Sequence, residues 1–108
     1  MEKIKLDLDK YFNTCKKLIS KKMHDYATKN DIFKNFKESA AIASILSQKK
    51  ITPTDVFNVF ISMKMSREAN IRNNLKEAPK NESLFDSIVD EINYIVLKSE
   101  FENITSKK

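Results

Sequence analysis

Thr52-Pro53-Thr54-Asp55-Val56-Phe57-Asn58-Val59-Phe60 is the stretch on which the fold class turns. A threonine side chain caps the first turn of a helix well. Proline is tolerated at the first helical position, where its missing N–H has no partner to lose. Asp55 then places a negative charge at the positive end of the helix dipole. The apolar residues that follow predict a helix over residues 53–75. Reading outward predicts three more. Over 3–22, Ile4, Leu8, Tyr11, Phe12, Cys15, Leu18 and Ile19 recur at spacings of three and four. Over 31–47, Asp31 is the expected N-cap, and Phe33, Phe36, Ala40, Ala43 and Leu46 or Ser47 form the face. Over 82–102, Asn81 is the expected N-cap, with Glu82 in the first turn. Residues 24–30, beginning His24-Asp25-Tyr26, break the apolar pattern and read as a loop. Glu77 to Lys80 reads as a turn, and residues 104–108 as a fraying end.

Composition supports the same class. The 108 residues make one domain, 1–108, with no glycine and two prolines, Pro53 and Pro79. Without glycine, few positions can take positive backbone angles, which disfavours tight hairpins and phosphate-cradling loops. The expected fold is therefore all-α, a compact bundle of four main helices with short loops. A single cysteine, Cys15, rules out an intramolecular disulfide framework and a cysteine-based zinc site, and it reads as a small buried hydrophobe. No run is apolar enough to span a membrane, and the first residues lack a signal-peptide core, so a reducing cytoplasm is the expected location. So small a domain gains from association, which makes a homo-oligomer the expected state. The net charge of +5 sits in pairs at Lys16-Lys17, Lys21-Lys22, Lys49-Lys50 and Lys107-Lys108, a pattern common on solvated faces.

Two helices break the rule of apolar inside and polar outside. On the third, Val56, Phe60, Met63, Ile71 and Leu75 form an apolar arc that contains Lys64 and Arg67, with Asn70 and Asn74 at its edge. On the fourth, Phe85, Ile88, Val89, Ile92, Ile95 and Val96 form the apolar face. Glu82, Asp86, Asp90 and Asn93 run beside it as a polar stripe. Cations on an inward face need an anionic partner. One reading pairs Lys64 and Arg67 with Asp86 and Asp90 in a structural network. The other is a cleft for a phosphate-bearing ligand, with Asp86 and Asp90 as candidate ligands for a divalent metal. His24 and Tyr26, overhanging the cleft, are candidate ligand contacts. The ordinary readings are a histidine meeting the dipole of helix one and a packing tyrosine. The stripes of Phe33, Phe36, Phe57, Phe60 and Met63 are expected to be core.

These residues also carry a resemblance. Asp25-Tyr26, Phe33-x-Asn35-Phe36, Lys64-x-x-Arg67-x-x-Asn70 and Asn81-Glu82-Ser83-x-x-Asp86-x-x-x-Asp90-x-x-Asn93-Tyr94 resemble small phage and prophage proteins of the nucleotide modification associated domain 1 family. The likeness covers about residues 24 to 97. It implies an all-helical fold, a phage or prophage context, hence a host cytoplasm, and a link to nucleotides. A more distant similarity is to the all-α NTP pyrophosphatases of the MazG type, which hold magnesium with carboxylate motifs on two successive helices. Asp86 and Asp90 match the second motif in spacing, whereas helix two offers only Asn35 and Glu38 toward the first.

Three functions follow as expectations. The first is a phage-type protein that holds a phosphorylated nucleotide or a nucleotide-derived signal, in the manner of sequestering a host defence signal. Lys64 and Arg67 would meet the phosphates, and Asn93 or Tyr26 the base, with Asn35 and Asn70 nearby. The second is a Mg²⁺-dependent nucleoside polyphosphate pyrophosphohydrolase using Asp86 and Asp90. The third is a non-enzymatic inhibitor that binds a host defence protein or nucleic acid through the lysine clusters.

Overall fold

Capping chemistry sets the helix boundaries. The computed structural model describes residues 7–26, 31, 33–74 and 83–106, with 22–26 as backbone only. Helix α1 spans Leu8–Tyr26, α2 Lys34–Ser47, α3 Pro53–Asn73 and α4 Leu84–Ser106. Ahead of α1, the Asp7 carboxylate accepts a hydrogen bond from the Lys10 amide at 3.1 Å. At the far end, α1 runs through His24, Asp25 and Tyr26, which the sequence pattern assigned to a loop. That segment has no apolar periodicity, but it contains neither glycine nor proline to stop a helix. Ile4, Leu75, the Glu77–Lys80 turn, Asn81, Glu82 and the terminal Lys107-Lys108 pair lie outside the described residues.

Asp31 acts two residues before the N-cap position, which Phe33 occupies. Its carboxylate accepts from the Phe33 amide at 2.9 Å and from Lys37 Nζ at 2.9 Å. Lys37, together with the Phe33 amide, holds this carboxyl below its usual range. Helix α2 ends on Gln48, at φ 57° and ψ 31°. This is the left-handed stop that glycine usually supplies, made here by a side-chain-bearing residue in a chain that has none. Ser44 Oγ accepts from the Ile51 amide at 2.9 Å and so fastens the connection to α3.

Both later helices begin with reciprocal capping boxes. At α3, Thr52 Oγ1 accepts from the Asp55 amide at 3.1 Å, and Asp55 accepts from the Thr52 amide at 2.9 Å. At α4 the described cap is Ser83, whereas the expected cap Asn81 lies outside the described residues. Ser83 Oγ accepts from the Asp86 amide at 3.1 Å, and Asp86 accepts from the Ser83 amide at 3.3 Å. Helix α4 also continues to Ser106, past the end expected near 102.

The four helices pack as an all-α bundle in which α3 against α4 is the most extensive contact. Helix α2 lies on α3, and α1 lies on α4. Tyr11 meets Phe85 with ring centroids 4.8 Å apart, and Cys15 Sγ donates to the Val89 carbonyl at 3.8 Å, so α1 and α4 run parallel. Phe57 lies 6.1 Å from Phe101, and Phe60 stacks on Tyr94 at 5.3 Å, so α3 runs antiparallel to α4. The core is aromatic. Phe57 is 0% exposed, stacks on Phe36 at 4.2 Å and meets the edge of Phe33 at 6.4 Å. Leu97 closes the cluster. Long helices flanking one central pair give extents of 52 × 28 × 25 Å and a radius of gyration of 16.4 Å. A near-spherical chain of this length would have about 13 Å.

Several side chains point elsewhere than the wheels predicted. Met63 is 60% exposed and leaves the core to Phe57, while Leu46, Ile95 and Val96 are also exposed. The inward face of α4 is instead Ser87, Val89, Asp90, Asn93 and Leu97. Ser87 is fully buried and its hydroxyl donates to the Lys64 carbonyl at 3.3 Å. A side chain this small lets α3 and α4 approach closely.

Candidate functional site

The polar residues that broke the sequence pattern divide into three groups. The first is an ion pair. Lys64 Nζ lies 2.9 Å from Asp90 Oδ2, with the two side chains 20% and 11% exposed. Helices α3 and α4 are thus joined by a largely desolvated salt bridge one residue from fully buried Val89. The structural reading of Lys64 and Asp90 accounts for this pair. Asp90 also raises the proton affinity of Cys15, although burial is the larger cause, and the thiol stays protonated.

The second group ties α1 to α4. Asn93 is buried, and its Nδ2 donates to the Cys15 carbonyl at 3.3 Å. The structure places this amide inside the α1–α4 seam, where it fills a carbonyl's second acceptor site.

The third group forms a cleft of about 900 Å³ between α1, α3 and α4. Arg67, Asp86 and Asp90 line it, as the sequence suggested for a common site. Facing them from α1 are Lys16, Lys17, Lys21, Thr14 and Ser20, over an apolar floor of Leu18 and Val89. Among the described residues, four cations and two carboxylates line the cleft, and Asp90 is paired with Lys64. Asp86 is engaged with its own helix N-terminus through the capping box. Among the described residues, no group of three or more His, Cys, Asp or Glu side chains is placed to hold a metal ion. Asp86 and Asp90, the metal candidates, share the cleft wall as a pair.

Asn70 is exposed on α3, and Asn35 lines a separate hollow of about 320 Å³ with Phe36, Ser39, Ile42, Phe60 and Tyr94. The side chains of His24 and Tyr26 lie outside the described residues. Sequence reading passed over the lysines of α1 as solvent-facing pairs. Their signal was the spacing of Thr14, Lys17, Leu18 and Lys21, which puts all four on one helical face.

A further pair was not foreseen. Glu68 on α3 is 8% exposed and hydrogen-bonds across the helix seam to half-buried Glu91 on α4. Glu68 Oε2 and Glu91 Oε1 are both buried and, among the described residues, have no hydrogen-bond partner. Burial pushes the Glu91 pKa up; the hydrogen bond and the charge of Glu68 add to this, and Arg72 opposes it. A carboxyl whose pKa is raised by folding stabilises the folded state fully below its ordinary value of 4.5. That contribution is lost as pH rises through the higher folded value. Glu91→Gln is therefore expected to flatten the decline of the urea midpoint from acid to neutral pH. An unchanged decline in the variant would refute the raised Glu91 pKa.

Comparison with protein-family models, with characterised proteins and with solved structures found no match for this chain. Among the described residues, no helix is long and apolar enough to cross a membrane.

Proposed function

We propose that this domain binds a phosphorylated small molecule of nucleotide type in the cleft between α1, α3 and α4. The observation that carries the reading is the convergence of Lys16, Lys17, Lys21 and Arg67 on one cleft with an apolar floor. Guanidinium and ammonium groups suit phosphate oxygens, and half-buried Leu18 offers an apolar edge for a flat base. The phosphate contact that the sequence assigned to Lys64 passes to the α1 lysines, because Lys64 is held by Asp90. Both carboxylates being engaged within the protein favours binding over turnover. That accords with sequestration of a nucleotide-derived signal.

Titration calorimetry of the full chain against mono-, di- and cyclic nucleotides tests this. Saturable binding is expected, with Arg67→Ala and Lys17→Ala each weakening it at least about tenfold, which equals about 1.4 kcal/mol. Absence of heat with every nucleotide would refute the reading. The enzymatic alternative rests on Asp86 and Asp90 sharing the same cleft wall. It requires pyrophosphate release from NTPs with Mg²⁺ that disappears in Asp90→Asn.

A further inference from the structure

A carboxylate on the wall of a cleft that takes phosphate repels the ligand unless it faces another part of it. Asp86 is in that position. It is exposed on the cleft wall, whereas Asp90, the other carboxylate there, is buried and paired with Lys64. Asp86 Oδ2 accepts from the Ser83 amide at 3.3 Å. An ionised carboxylate has about four lone-pair sites, so this cap leaves acceptor capacity toward the cleft.

Helix register separates Asp86 from the lysines that suit phosphate best. Tyr11 meets Phe85 and Cys15 meets Val89, so the parallel helices α1 and α4 put Asp86 level with Phe12. At 1.5 Å per residue, Lys17 and Lys21 follow about 8 and 13 Å further along the axis. Both line the cleft, with half-buried Leu18 between them in sequence. A nucleotide with its phosphates against these lysines lays its ring past Leu18 and turns its hydrogen-bonding edge toward Asp86.

The chemistry of Asp86 then selects the base. An ionised carboxylate only accepts hydrogen bonds. Guanine presents two adjacent donors on one edge, the ring N1–H and the exocyclic N2 amine. Adenine and cytosine each place a bare ring nitrogen beside their amine, and uracil flanks its N–H with two carbonyls. Those acceptors meet a carboxylate with like partial charge. We infer that Asp86 sets the base specificity of the cleft by accepting from N1–H and the N2 amine of guanine, so that the ligand is a guanine nucleotide. The inference rests on the nucleotide reading of the cleft and narrows it.

Titration calorimetry of the full chain with GTP, ITP, ATP, UTP and XTP, in EDTA and in Mg²⁺, tests this. GTP is expected to bind at least about tenfold more tightly than ATP or UTP, the scale of a hydrogen bond to a charged group. ITP, which lacks only the amine, should lose part of that advantage. Asp86→Asn still offers an oxygen to the Ser83 amide but adds an N–H donor. It should lose the preference for GTP and gain affinity for XTP, in which a carbonyl replaces the guanine amine. No binding by any of the five would sink the nucleotide reading itself. Binding of GTP, ITP and ATP with equal affinity overturns the guanine assignment alone. A GTP preference that Asp86→Asn retains, or that appears only in Mg²⁺, overturns the role given to Asp86.

Discussion

Phe57→Ala is expected to lower the free energy of unfolding by about 4 kcal/mol. Phe57 is fully buried and touches rings from three directions: Phe36, Phe33 and Phe101. Truncation removes the transfer free energy of the ring and leaves a void between α2, α3 and α4. Neighbouring phenylalanines cannot fill it without leaving their own contacts. A domain of this size has a total stability of about 5–15 kcal/mol, so the loss takes much of the margin. Met63→Ala, on the same helix, is expected to stay within about 0.5 kcal/mol because Met63 faces solvent. Urea unfolding followed by circular dichroism compares the two. Equal losses would mean that α3 is rotated from the orientation described.

The second large effect concerns the ion pair between α3 and α4. Asp90→Ala leaves the Lys64 ammonium in a mostly dry seam without this carboxylate and is expected to cost about 2–3 kcal/mol. This is the lower end for breaking a buried pair, because both side chains keep some contact with water. Lys64→Met with Asp90→Leu removes both charges and keeps their volume. This double variant is expected to recover most of the loss, since neither desolvated group remains. Equilibrium unfolding of the two single variants and the double gives the coupling. Additive losses would show that Lys64 and Asp90 do not act as a unit.

How much of this could be read beforehand depended on whether the signal was local. The α3 start was fully legible, because Thr52, Pro53 and Asp55 act within one turn. The α4 start was misplaced by two residues. Asn81 and Ser83 are both competent caps, and only the reciprocal bond of Ser83 with Asp86 decides between them. Orientation on α3 was not legible. Val56, Phe57, Val59, Phe60, Ile61, Met63 and Met65 surround the helix, so contact with α2 on one side and α4 on another selects the buried arc.

The polar exceptions were the better guide. Lys64, Asp90 and Asn93 fall in the seams as their inward placement suggested, and Arg67 reaches the cleft wall. The glutamate pair could not be foreseen. No rule of spacing says that a carboxyl on α3 and another 23 positions later on α4 will meet across the seam. The α1 lysines meet Arg67 across one cleft only through the crossing of α1 over α4.

That crossing has a consequence for how the protein breathes. Helix α1 is held mainly by α4, through Tyr11 on Phe85, Cys15 on Val89 and the Asn93 amide, while the aromatic cluster binds α2, α3 and α4 to one another. The cleft's cations are therefore split between the least anchored helix and the most rigid pair. Under the proposed reading, a bound anion that bridges Lys17 and Arg67 would act as a staple across that division. At a hundredfold excess over its dissociation constant it adds about 2.7 kcal/mol against the detachment of α1. Under that reading, occupancy and the opening of the first helix form one equilibrium, and the slowest-exchanging amides of α1 would report how much of the protein carries an anion.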